Sequence, residues 1–236
     1  MRLDTRSNIK YINTGQFNST HVQKHRIQYS YDYNMLYLNV EYGTSMKTRN
    51  YKQMLLDTLY TPYHQCTKCP LAGLGRTHVV FGQGNPDAKL MFIGEGPGRD
   101  EDVQGLPFVG RSGQLLDCVL KNIGIQRDDV FITNIVKCRP PGNREPLPNE
   151  STTCKNILLF NQIKIIQPKI ICTLGSCALR NLLEHDIKIT ELRGTRMNFG
   201  SITLIPTYHP AYILRNPQKI KDFVQDLFLI TSLLTP

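Results

Sequence analysis

No stretch of this 236-residue sequence stays apolar for the ~20 consecutive residues that a membrane-spanning helix needs, so no membrane segment is predicted. The opening residues MRLDTRSNIKYINTGQ lack the apolar core of a secretory signal, and a cytoplasmic location is expected. Cysteine does not come in an even set. The seven, at 66, 69, 118, 138, 154, 172 and 177, stand in a mid-sized chain without an export signal, which argues against a disulfide framework. Metal ligation is then the better reading of any spaced subset. Acidic residues are few, 19 against 28 Lys and Arg, and the formal net charge of +9 fits a polyanionic partner, commonly nucleic acid. Basic charge alone singles out no partner. There is no internal repeat, and with 40% apolar residues the chain is long enough for one well-filled core.

Residues 1–50 are rich in Asn, Tyr, Ser and Gln without helical or alternating period, and read as an N-terminal extension, loosely ordered. They carry seven Lys/Arg and three Asp/Glu, which leaves 21 and 16 for the rest, so both parts are basic. From Tyr51 onward the pattern alternates. KQMLLDTLY predicts a helix. KLMFIG (89–94), VFITNIV (130–136), KIICTLG (169–175) and SITLIP (201–206) predict four strands. Between and after them, helices are predicted from Ser112, from about Asn149, from Ser176 and from Pro217. Such alternation implies right-handed crossovers and a three-layer α/β/α domain around a central, mainly parallel four-stranded sheet. Ligands bind outside the carboxyl ends of such strands. Glu95 in GEGPG, Asn134 and His209 all stand there, and turn chemistry explains the glycines but not these three side chains.

Cys66-Thr-Lys-Cys69 is a two-ligand turn, and Cys138 and Cys154 are able to complete four thiolates. Spacing does not choose between tetrahedral zinc and an iron–sulfur cluster, since both accept four cysteines. Cys118, Cys172 and Cys177 fall within helix or strand patterns and are expected as buried packing residues.

CTKCPL, GEGPGRDEDVQGLPFVGRSGQLLD, FITNIVKCRPPGNREPLPNE and YHPAYILRNP, in this order over about 160 residues, resemble the family 4 uracil-DNA glycosylases, the iron–sulfur type. Four separated motifs with a cysteine quartet make the resemblance specific. It implies a glycosylase-like catalytic domain over residues 51–236, active on uracil-containing DNA as a monomer. It also implies a structural [4Fe–4S] cluster held by Cys66, Cys69, Cys138 and Cys154. Lys137 and Arg139, flanking one ligand, become candidates for DNA phosphates.

A glycosylase must extrude its nucleotide, at an unstacking cost of a few kcal/mol, into a pocket. By resemblance Phe108 stacks on the flipped uracil, and Asn134 reads its edge: an amide oxygen accepts from N3–H while the NH₂ donates to O4, a polarity that cytosine reverses. His209 is placed to donate toward uracil O2 as charge develops there, with Gly94, Gly96 and the GEGPG backbone adding to the field. Glu95 is read as catalytic, stabilising the sugar cation or positioning water, although Gly96 stands where the family usually has Ala. Glu101 resembles the residue that crowds the C5 edge and rejects thymine, while Asp100 and Asp102 beside it are expected as a solvated acidic turn. Leu214 is the expected minor-groove wedge, with Arg215 on phosphate and Arg139, Arg144 and Arg111 as further phosphate candidates. Two other readings stand beside this one: a covalent uracil-DNA trap, disfavoured because ELRGTRMNFGS (191–201) lacks histidine, and a non-catalytic metal-stapled nucleic-acid-binding module.

Overall fold

The computed structural model describes residues 27–32, 35–40, 48–185 and 187–234. Within the expected N-terminal extension lies one antiparallel hairpin, β1 (Ile27–Asp32) with β2 (Met35–Val40), in which Ile27 faces Val40 and Asp32 faces Met35. The rest of the extension, 1–26, 33–34 and 41–47, is outside the described residues.

A separate unit from Lys47 onward carries the α/β domain. Its strands are β3 (Gln83–Gly84), β4 (Leu90–Gly94), β5 (Phe131–Asn134), β6 (Ile170–Leu174), β7 (Met197–Phe199) and β8 (Ile202–Thr207), in the order β3-β5-β4-β6-β8-β7. The four expected strands, β5, β4, β6 and β8, pair in parallel at the centre. The sheet nevertheless has six strands rather than four. Antiparallel β3 and β7 close its edges, and at two and three residues they are too short for an alternating pattern to register.

Every residue of β4, β5 and β6 is buried, as a sheet covered on both faces requires. Leu90 and Phe92 point to one layer with Ile170 and Cys172, and Met91 and Ile93 to the other with Ile171. On the first side pack α3 (Arg111–Asn122), α8 (Pro210–Arg215) and α9 (Ile220–Leu234). α9 buries Phe223, Asp226, Leu227 and Ile230, spacings that share one helical face. On the second side lie α1 (Thr48–Tyr60), α6 (Ser176–Leu183) and a helix from Pro148 to Ile166. That helix is α4 (Pro148–Cys154) and α5 (Phe160–Ile166) joined by a π-turn, Lys155–Leu159, which follows Cys154 directly. Each large aliphatic or aromatic side chain so buried contributes about 1.5–3 kcal/mol. No helix among the described residues is long and apolar enough to cross a membrane.

Candidate active site

At the carboxyl end of the parallel strands a cleft of about 660 Å³ is lined jointly by Glu95, Glu101, Phe108, Asn134 and His209. β4 ends at Gly94, and the chain turns through Glu95-Gly96-Pro97-Gly98 into α2 (Arg99–Gln104), which stops at Gly105 in a left-handed conformation, φ 72°. Phe108 is itself at φ 51°, a conformation that a non-glycine residue keeps only when its surroundings hold it. Three contacts do so. Glu101 Oε1 accepts from the N–H groups of Val109 (2.9 Å) and Gly110 (2.8 Å), and its Oε2 accepts from Gly98 N–H at 3.1 Å. Arg127 Nη2 donates to the Pro107 carbonyl at 2.6 Å. Gly113 of α3 lies so close to the Phe108 carbonyl that a β-carbon there would collide with it.

Asn134 is the last residue of β5 and stands in register with Gly94 on β4. A β-carbon at 94 would run into both Asn134 Oδ1 and the Phe108 ring, so glycine lets the two side chains meet over one strand end. Asn134 is 1% exposed, and its Oδ1 is buried with no hydrogen-bond partner among the described residues. An unmet buried acceptor costs about 1–3 kcal/mol, and here it lies in a cleft wall, where a ligand N–H is able to satisfy it.

His209 follows β8 and caps α8; its Nδ1 accepts from Ala211 N–H at 3.1 Å. The ring is therefore neutral with its proton on Nε2. Burial, and then the nearby Arg215, push its pKa down to about 4. Its ring centroid is 5.7 Å from that of Phe108. Glu95 sits beside the Cys177 thiol, Glu145 and Arg180. Burial and the charge of Glu145 raise its carboxyl above the usual range, while the hydrogen bond from Cys177 and the charge of Arg180 oppose the rise.

Residues 81–228 match the model of the uracil DNA glycosylase superfamily. The chain belongs to this superfamily. A type-4 uracil-DNA glycosylase of Thermotoga maritima is 47% identical over 167 residues, spanning 70% of this chain and 86% of the relative. One of Sulfurisphaera tokodaii is 45% identical over 181 residues, 72% of this chain and 81% of the relative. The uracil-DNA glycosylase match spans β3 to β8 and most of α9, and so takes in the whole cleft.

Cys66, Cys69, Cys138 and Cys154 are outside the cleft lining. Cys66 and Cys69 follow α1, Cys138 follows β5 and Cys154 ends α4, and all seven cysteines are free thiols. Burial pushes the Cys138 thiol up to about 12; Arg76 opposes this, and Cys154, Cys69 and Cys66 add to it. Cys154, raised to about 11 by burial, accepts from Lys137 N–H at 3.3 Å. Arg76 Nη1, near Cys138, is buried without a hydrogen-bond partner among the described residues, an unmet cationic donor that suits an anionic group held by these sulfurs. Among the described residues no three His, Cys, Asp or Glu side chains converge as a single metal ion requires.

The DNA-contact candidates divide. Arg111 and Arg215 line the cleft with no acidic partner within salt-bridge reach among the described residues, as does Arg99 of α2. Leu214 is exposed on α8, outside the cleft lining. Arg139 is also outside it, with Nε donating to Asn143 Oδ1 at 2.8 Å. Arg144 lines the cleft but is held by both oxygens of Glu150, at 2.8 and 2.9 Å.

Three expectations are corrected. Lys137 does not face DNA: it is 0% exposed, its ammonium enclosed by protein acceptors. Asp102 is not solvated; its carboxylate accepts from Thr77 N–H at 2.9 and 3.0 Å and from His78 N–H at 3.3 Å, while Asp100 is exposed. Cys118 is exposed on α3, whereas Cys172 and Cys177 are buried as expected. The Glu101 oxygens are taken up by backbone amides, which makes this side chain a brace for the Phe108 turn. Sequence reasoning overlooked Asn143, at φ 56° in the cleft wall, although it stands inside the CRPPGNR stretch.

Proposed function

We infer that this chain is a uracil-DNA glycosylase that hydrolyses the N-glycosidic bond of a flipped deoxyuridine, releasing uracil and leaving an abasic site for base excision repair. The observation that carries the reading is the unpartnered Asn134 Oδ1 in a cleft shared with Phe108 and His209. Uracil N3–H donates to that oxygen and Asn134 Nδ2 donates to O4; cytosine, unprotonated at N3 and carrying an amine at C4, leaves both groups unpaired. Phe108 offers its ring to the base.

As the C1′–N1 bond breaks, its electron pair moves onto the uracil ring and positive charge grows on the sugar. Neutral His209 donates from Nε2–H to O2, where the negative charge collects. A donor held in place and already neutral needs no proton loss before it acts. Glu95 stabilises the cation or orients the water whose oxygen adds to C1′ and whose proton leaves to solvent. Arg111 and Arg215 engage phosphates, and Leu214 fills the gap in the duplex.

Cys66, Cys69, Cys138 and Cys154 would hold a [4Fe–4S] cluster, which supplies a covalent staple and no redox step to a hydrolysis. A monomer acting in the cytoplasm completes the reading.

The test is uracil release from DNA carrying U·G, U·A and single-stranded U, using anaerobically purified protein with iron and sulfide counted. Free abasic product is expected, with no protein–DNA adduct on a denaturing gel. Asn134→Ala and His209→Ala are expected to slow release drastically, to a rate readable only under single turnover, while sparing nonspecific DNA binding; unchanged release would reject both roles. Salt-sensitive binding without release would favour a non-catalytic module.

A further inference from the structure

Lys137, between Asn134 and Cys138, has every polar group committed. Its Nζ donates to Thr133 Oγ1, to the Asn134 carbonyl (2.7 Å) and to Gln162 Oε1 (2.8 Å). Thr133 Oγ1–H and Gln162 Nε2 both donate to the Phe81 carbonyl, at 2.9 and 2.8 Å, which leaves their oxygens facing the lysine as acceptors. Three acceptors meet three ammonium protons. The Lys137 N–H goes to Cys154 Sγ at 3.3 Å, and its carbonyl accepts from Val80 N–H at 2.7 Å.

A fully enclosed lysine that faces neither substrate nor solvent is costly to bury unless it is completely hydrogen-bonded, as this one is. Of its three acceptors, one is the main chain of the residue whose amide meets the base. Among the described residues Asn134 Oδ1 has no hydrogen-bond partner to orient it, so the peptide plane that carries the side chain helps to set where that oxygen points.

We propose that Lys137 is a positioning residue for base recognition: its ammonium clamps the Asn134 carbonyl against Thr133 and Gln162 and thereby aims the Asn134 amide into the cleft. This rests on the reading of Asn134 as the group that meets uracil.

The experiment is a double-mutant cycle on single-turnover uracil release, with Lys137→Met, Asn134→Ala and the pair, each preparation normalised to bound iron and checked for DNA affinity. A clamp that acts through Asn134 makes Lys137→Met cost about tenfold or more in an otherwise native enzyme, with KM for DNA little changed, and only about twofold once Asn134 is already alanine. An equal factor in both backgrounds, or a loss that vanishes on normalising to iron, overturns the proposal. Should Lys137→Met fail to fold, Gln162→Leu removes one acceptor of the same ammonium and enters the same cycle, with the same non-additivity expected and additivity again overturning it. Absence of uracil release by the native protein rejects the glycosylase reading itself, whereas native release with an additive cycle rejects only the clamp.

Discussion

Asn134 and Gly94 are register partners on adjacent parallel strands, and the Asn134 amide oxygen lies too close to residue 94 for a β-carbon to fit there. The same absent atom would strike the Phe108 ring. One missing side chain thus brings a hydrogen-bonding edge and an aromatic face together at a strand end.

Gly94→Ala is therefore expected to displace both groups by a fraction of an ångström or more and to lower uracil release by at least about 100-fold. Iron content and nonspecific DNA affinity should stay near native. Release within a few-fold of native would show that the close approach is dispensable.

Glu101→Gln replaces one carboxylate oxygen, which accepts from backbone N–H, by an NH₂ group that faces them as a second donor. A stability loss of about 2 kcal/mol is expected in urea unfolding, together with a fall in kcat as Phe108 leaves its φ > 0 turn. If Glu101 instead excludes thymine, Glu101→Ala should gain release from T·G pairs; as a brace it should gain none.

His209 carries a pH signature. Its folded pKa, about 4, lies below the ordinary histidine value of 6.5, so between those values the unfolded chain binds a proton that the folded one refuses. Stability is accordingly undiminished above pH ~6.5 and falls as pH drops toward 4, by on the order of 2 kcal/mol with the ring partly hydrated by the cleft. His209→Asn keeps an acceptor for Ala211 N–H and should show a shallower decline of Tm over that window. The acid limb of native kcat should likewise lie well below pH 6.5.

Two arginines of the same cleft should behave oppositely. Arg215→Ala should reduce the slope of log K against log salt by about 1, because one DNA phosphate is no longer neutralised by the protein. Arg144→Ala strips the partner from Glu150, whose side chain is 0% exposed, and should lower Tm while leaving the salt slope unchanged. A lower slope for Arg144→Ala would place that residue on DNA.

Much of the domain was legible along the chain. Apolar runs marked β4, β5, β6 and β8, and Pro217 leads into α9 as an N-terminal proline does, whereas the helix opened by Pro210 was not foreseen. The rule that ligands sit beyond the carboxyl ends of parallel strands is enough to bring Glu95, Asn134 and His209 to one side of the sheet. Edge strands β3 and β7 escaped because two or three residues carry no period.

Order of elements and the sheet end that carries the motif residues follow from strand and helix periods and turn chemistry, which are local properties. What each charged side chain is for follows from the folded arrangement alone. Lys137 and Asp102 look solvated in their own segments; acceptors of the one include Phe81-linked Thr133 and Gln162, and the donors to the other are Thr77 and His78, 25 and 24 residues away. Burial of a charge depends on partners that folding delivers from elsewhere in the chain, and no local pattern encodes their arrival.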